Sequence, residues 1–192
     1  MFRNFVIAVT VILVVSLSMC AYAQTVDLNV NDDTAEIQFR SVISEQVYGY
    51  MEFNARFLYS SEKHADNKLG SAGVDAYGEL EAVPGLEMGV GTKLYGGRVD
   101  HEDVLGVGLG GLLRYAPPAL NGFVFSGTLY YAPKVLSFLD SERLLESGLR
   151  LGYQIIPNAA VYVGYRNIRT HIEHDGSSRV AEGIYGGLEF RF

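Results

Sequence analysis

The residues of this 192-residue chain best equipped for chemistry are its four histidines, His64, His101, His171 and His174, and the glycine triplet Gly106, Gly108 and Gly111. Neutral imidazole and carboxylate both ligate divalent cations, so His171, Glu173 and His174, joined by His64 or His101, have the donor types of a metal site. Their spacing has no regularity that would aim them at one point, and solvated loop residues are the simpler reading. The same segment offers a hydrolase set: His171 as base, Ser177 or Ser178 as nucleophile, Glu173 or Asp175 as orienting acid. All of these lie in one loop without a scaffold to hold base against hydroxyl, so no catalytic residue, metal or cofactor is predicted. The glycines match the G-x-G-x-x-G spacing, which grips a phosphate only where a strand turns into a helix. Here the run continues through Leu112, Leu113 and Arg114 to Pro117-Pro118, and small residues on one face of a strand explain it better.

The elements that would position such residues begin with a leader. Arg3, the apolar run Phe5 to Leu17 and the small-x-small sequence Ala21-Tyr22-Ala23 read as a signal peptide over residues 1–23, cleaved after Ala23. The run is short for a spanning helix, which takes about 20 apolar residues. Leu17-Ser18-Met19-Cys20 has the outline of a lipobox, but Met19 fits poorly before a modified cysteine. Removing residues 1–23 leaves 169, enough for one domain. Cys20 departs with the leader, leaving no thiol for a disulfide or metal site. Fourteen basic residues then face 22 acidic ones, a net charge of −8 that disfavours nucleic acid.

Beyond the leader, Pro84, Pro117, Pro118, Pro133 and Pro157 all fall between runs of alternating apolarity. Proline cannot donate to a sheet ladder, so it marks connections. With the polar stretches 60–68, 98–103 and 171–179 these breaks delimit eight strands, near 47–59, 69–83, 86–97, 104–115, 122–132, 142–155, 159–170 and 180–192. Each reaches the roughly 9 to 11 residues that cross a bilayer at a tilt. Compact and longer connections alternate, as the periplasmic turns and outer loops of membrane barrels do. The fold class predicted is all-β: a closed antiparallel transmembrane β-barrel of eight strands over residues 47–192, located in the bacterial outer membrane. Residues 24–46 are read as a leader segment packed at the rim, or alternatively as an extra hairpin giving ten strands, because Val26 to Val30 is too short to span.

Alternation sets Phe123, Phe125, Leu129 and Tyr131, and likewise Leu145, Leu149, Leu151, Tyr153 and Ile155, on faces that should meet lipid. The opposite faces collect Glu52, Asp75, Glu79, Glu81, Glu87, Glu146 and Glu189 against Arg56, Lys93, Arg114, Arg150, Arg166 and Arg191. Charges withdrawn from water need partners, so this near-balance predicts a lumen filled by ion pairs, with inward glycines leaving room for long side chains. Tyr115, Phe123, Tyr153 and Phe192 at one end, with Tyr59 and Tyr131 at the other, are placed as aromatic girdles.

Four segments, Gly106-Val-Gly-Leu-Gly-Gly, Tyr130-Tyr-Ala-Pro-Lys-Val-Leu-Ser-Phe138, Val163-Gly-Tyr-Arg-Asn-Ile-Arg169 and Gly186-Gly-Leu-Glu-Phe-Arg-Phe192, resemble the YfaZ family of outer-membrane proteins across roughly residues 86–192. The resemblance implies a location more than an activity and supplies no catalytic residues. Leu188, Phe190 and Phe192 also resemble the signal by which the barrel-assembly machinery recognises its clients. The expected partners are that machinery, outer-membrane lipid and lipopolysaccharide. The leading functional expectation is a structural or interaction role in the envelope, not an enzyme. A narrow porin-like channel is the first alternative and a lipid A-modifying enzyme the second.

Overall fold

The computed structural model describes residues 24–61, 67–99, 102–139, 141–172 and 176–192. The leader, His64, His101, Glu173, His174 and Asp175 lie outside the described residues, as do the side chains of His171, Ser177 and Ser178, so the metal and hydrolase expectations fall there too. The strands in chain order are β1 (Gln24–Val30), β2 (Thr34–Gln46), β3 (Gly49–Ser60), β4 (Asn67–Glu79), β5 (Leu86–Val99) and β6 (Glu102–Tyr115). There follow β7 (Phe123–Ala132), the short β8 (Ser137–Leu139), β9 (Ser141–Ile156), β10 (Ala159–Ile172) and β11 (Gly176–Arg191). Pro133 interrupts β7, and a 3₁₀ turn at Lys134–Leu136 returns the chain so that β7 and β8 share one place beside β6.

Successive strands pair antiparallel, and β11 closes on β1 through Thr25 to Val30 against Arg191 to Gly186. Gln24 and Phe192 also exchange backbone hydrogen bonds of 3.3 and 2.9 Å. The ring therefore has ten places, not the eight expected, and residues 24–46 are two of its staves. Seven residues are too few for β1 to span a bilayer as an isolated segment. Inside a ring it needs only to bridge β11 and β2, and both neighbours hold it along its length.

The strands lean. Pairings lead from Tyr115 through Phe125, Leu151, Val163, Gly186, Val30, Ala35, Tyr59, Lys68 and Arg98 to Asp103, back on β6 but displaced by twelve residues. Such a shift around a closed sheet requires strands inclined to the barrel axis, typically by about 35–45°. Both ends of the barrel chain and the connections 47–48, 80–85, 116–122 and 157–158 gather at one end, here the turn end. Gly85, at φ 81°, takes a left-handed conformation there with the Ala116 carbonyl where a Cβ would stand, so the turn admits only glycine. The other connections form the loop end.

The strands are polar inward and apolar outward over most of their length, and several, β5, β6, β9 and β10 among them, reverse near the loop end. On β10, Val163 and Tyr165 face out while Tyr162 and Arg166 are buried; further on, Arg169 is exposed and Ile168 buried. On β5, Met88, Val90 and Leu94 face out and Lys93 in, and then Arg98 is exposed and Val99 buried. Lipid around the lower wall and water around the upper rim produce this reversal, since an outward side chain must suit whatever solvent surrounds it. No described helix is long and apolar enough to cross a membrane, a criterion that does not apply to strands.

Because the hairpin completes the ring, deleting residues 24–46 should leave two open sheet edges and abolish the folded barrel. In a cold-versus-boiled gel of the refolded chain, the heat-modifiable band is expected to vanish. A retained band would restore the eight-strand reading.

Candidate functional site

The lumen concentrates the described ionisable groups. Seven acids, Asp27, Glu36, Glu52, Asp75, Glu87, Glu146 and Glu189, face in with seven bases, Arg40, Arg56, Lys93, Arg114, Arg150, Arg166 and Arg191. At mid-height Arg56 grips Glu146 with two hydrogen bonds of 2.7 Å, and the Tyr95 hydroxyl donates to the same carboxylate at 2.9 Å. Lys93 stands 3.6 Å from Glu146 and 4.0 Å over the Tyr130 ring. Because β3 and β9 are five places apart in the ten-place ring, Arg56 and Glu146 span its full width.

Beside this strut, Glu36 accepts from Asn29 at 2.9 Å and pairs with Arg166, whose other nitrogen reaches the Thr34 hydroxyl at 3.2 Å. Asp75 accepts from Asn54 at 2.8 Å and from the Tyr130 hydroxyl. Nearer the turn end, Arg40 contacts Asp27 and Glu189, both at 2.8 Å, and Arg150 contacts the same two acids at 2.9 and 2.5 Å. Arg191 adds a 2.6 Å contact to Glu189. Glu87 closes the set at the mouth, 3.6 Å from Arg114 and hydrogen-bonded by Tyr50 at 3.0 Å.

Glycines make space for tyrosine rings within this web. Gly89 lies opposite Tyr77, Gly110 opposite Tyr130, Gly164 opposite Tyr185 and Gly187 opposite Tyr162, and a Cβ at each glycine would run into that ring. Gly108 gives the same room to Tyr95. The phosphate-loop spacing is thus part of strand β6, with Gly108 acting as a bed for an aromatic ring.

Above the strut, towards the loop end, the lumen changes character. Leu58, Leu69, Tyr95, Val99, Val104, Leu144, Ile168 and Val180 form a contiguous buried apolar layer in which none exceeds 2% exposure. Below it a cavity of about 150 Å³ follows the charged wall, and its lining reaches Arg114, Gln154, Ala160 and Arg191 beside the turn end. None of the eight apolar residues lines that cavity.

Of the charges expected in the lumen, Glu52, Arg56, Asp75, Glu87, Lys93, Arg114, Glu146, Arg150, Arg166, Glu189 and Arg191 stand there. Glu79 and Glu81 do not: Glu79, paired with Glu87 at the last position of β4, is exposed because the inward face is no longer enclosed there, and Glu81 is exposed in the following turn. Asp27, Glu36 and Arg40 were missed because residues 24–46 were kept out of the barrel, although Asp27, Asn29 and Glu36, Gln38, Arg40 alternate with Leu28, Ile37 and Phe39. The apolar layer was missed for another reason: near the loop end both faces of a strand carry apolar residues, as at Leu144-Leu145. Leu188, Phe190 and Phe192 of the resembled assembly signal face outward. No group of metal-binding residues forms among the described residues.

Removing one partner of a buried pair strands the other's charge, at a cost of about 3–5 kcal/mol. Glu146→Gln should therefore lower the urea midpoint of the barrel in detergent substantially, while Arg56→Met with Glu146→Leu should recover most of the loss. Equal midpoints for wild type and Glu146→Gln would remove the strut from the account.

Among solved structures, the chain resembles the KdgM porin in complex with disordered oligogalacturonate, at 12% identity and a TM-score of 0.50 over 88% of this chain and 99% of that one. It is also similar to the outer membrane protease OmpT from Escherichia coli, at 12% identity and a TM-score of 0.48 over 89% and 93% of the two chains. The first likeness shows the fold, that of an outer-membrane β-barrel. No curated protein matches the chain significantly. The family model described as YfaZ precursor matches residues 2–192, carrying the resemblance of residues 86–192 back through the N-terminal hairpin. The chain is a member of the YfaZ family.

Proposed function

We propose that this protein is an outer-membrane barrel with a structural or interaction role in the envelope, and that its lumen does not conduct. The observation that carries this reading is the stacking of two obstructions: the Arg56–Glu146 strut across the lumen and, above it, the apolar layer from Leu58 to Val180. An ion crossing the first must displace a paired charge, and crossing the second must shed its water among aliphatic side chains. The leader, cleaved after Ala23, delivers the chain for export, the turn end faces the periplasm and the loop end faces outward. Leu188, Phe190 and Phe192, outward-facing on the strand that closes the ring, serve as the contact for the barrel-assembly machinery.

One observation favours the narrow-channel alternative: a ten-place ring is wider than an eight-place one, and the cavity of about 150 Å³ occupies the added room. That cavity ends below the apolar layer, so it supports a vestibule rather than a passage. The lipid-modifying alternative rests on loop residues outside the described ones and gains no support from the geometry.

In a planar bilayer the refolded protein is expected to be silent across the voltage range in which porins give stable steps. Reproducible unitary steps, abolished when the protein is heat-denatured first, would overturn this reading in favour of the channel.

A further inference from the structure

The lipid-facing wall carries a groove that the lumen account does not use. Across β5, β6, β7, β9 and β10, Met88, Leu113, Gly127, Leu149 and Tyr165 follow one another in register. The adjoining row passes through Gly111, Leu129 and Ser147 to Asn167. Gly111, Gly127 and Ser147 leave a floor between projecting side chains, and the resulting groove has a volume of about 540 Å³. A Cβ built on Gly111 meets nothing within 4 Å, so this glycine is not there to admit a neighbour within the fold. Because the strands lean, the groove climbs from Met88, the third residue of β5, to Tyr165 and Asn167, halfway along β10.

Its upper end meets positive charge. Asn167 accepts a 2.9 Å hydrogen bond from Arg169 Nε, and Arg169 is exposed. Arg143 is exposed on β9, two residues along from Leu145, the partner of Arg169 in the register, and has no ion-pair partner among the described residues. Arg179 occupies the position directly opposite Arg169 on β11. The nearby acid on this face among the described residues is Glu182, which accepts from the Tyr165 hydroxyl at 3.0 Å and stands 3.4 Å from Arg169. Glu182 lies to the β11 side of Arg169 and Arg143 to the β9 side, so among the described residues no acid stands between the two exposed arginines. Like charges on neighbouring strands repel unless something lies between them. Every described cation outside the lumen lies at this end, and none decorates the outer wall at the turn end.

We infer that this groove and the Arg143–Arg169 pair form one binding site for a phosphorylated, acylated lipid of the outer leaflet. The acyl chain lies along the floor of Gly111, Gly127 and Ser147, and the phosphate accepts hydrogen bonds from both guanidiniums, a geometry to which the planar arginine fork is suited. The height of the arginines matches, since they sit where the outward faces change from apolar to polar. This inference goes beyond the non-conducting role and holds whether or not the lumen conducts.

The test is lipid retention by the folded barrel in detergent, read by native mass spectrometry with lipid A, dephosphorylated lipid A and inorganic phosphate as probes. About one lipid A per barrel is expected, with at least tenfold weaker retention of the dephosphorylated form and no displacement by equimolar phosphate. Arg143→Gln with Arg169→Gln should lower lipid A retention at least tenfold, and Gly111→Leu should do so with both arginines intact. Heat-modifiable migration verifies that each variant is folded, and Arg143→Lys with Arg169→Lys should bind better than the glutamine pair. Equal retention by wild type and the glutamine pair, or full displacement by inorganic phosphate, would overturn the site. So would a dimer that Gly111→Leu dissociates without any lipid dependence, which would give the groove to a second copy.

Discussion

The bidentate pair between Arg56 and Glu146 joins opposite walls of the barrel, and most of the interior is arranged around the requirement that neither charge be left alone. In a lumen shielded from bulk water, an unpaired ion costs several kcal/mol, so each charge calls for a second and each second for more hydrogen bonds. Tyr95 and Lys93 complete Glu146, and Arg56 leans also towards Glu36 at 3.8 Å. Glu36 in turn holds Arg166, and Asp27 holds Arg40 and Arg150. Two of these acids come from the N-terminal hairpin. Without β1 and β2, Arg166 of β10 would lose Glu36 and Arg150 of β9 would keep only Glu189, so ring closure and charge balance are one constraint.

A second constraint acts from outside. Lipid around the lower wall forces apolar residues outward, and the lumen receives what is polar. Where the wall rises out of lipid the demand disappears, the outward faces take Lys68, Arg98, Arg143 and Arg169, and apolar residues move inside as in a soluble barrel. The apolar layer thus follows from strands that outrun the bilayer. It gives the upper barrel a core of its own, which the ion pairs below could not supply.

Much of this was legible in the sequence. The eight strands from β3 onward, with β8 as the continuation of an interrupted strand, follow from proline positions and alternation, and Phe123 and Tyr153, expected at one girdle, pack with ring centroids 4.9 Å apart. The hairpin was not, because span length is a property of an isolated segment while β1 is stabilised by its two neighbours. Nor was the distinction between Glu79, Glu81 and the paired acids, since alternation gives a face but not the height at which the face stops being enclosed. The groove on the outer wall was hidden for a related reason: Gly111 reads as an inward spacer like Gly106 and Gly108 until the register shows it outward, diagonal to Gly127 on the lipid face.

With the apolar layer sealing its upper end, the proposed lumen opens towards the turn end alone. Cys20 is the only cysteine in the chain, so refolded residues 24–192 carry no thiol, and a Ser126→Cys substitution places one on the cavity wall below the apolar layer. In oriented vesicles, a small membrane-impermeant thiol reagent should modify this cysteine when added on the turn-end side and leave it untouched when added on the loop-end side. Modification from the loop-end side at a comparable rate would mean that the apolar layer does not seal the barrel, and the account would fail.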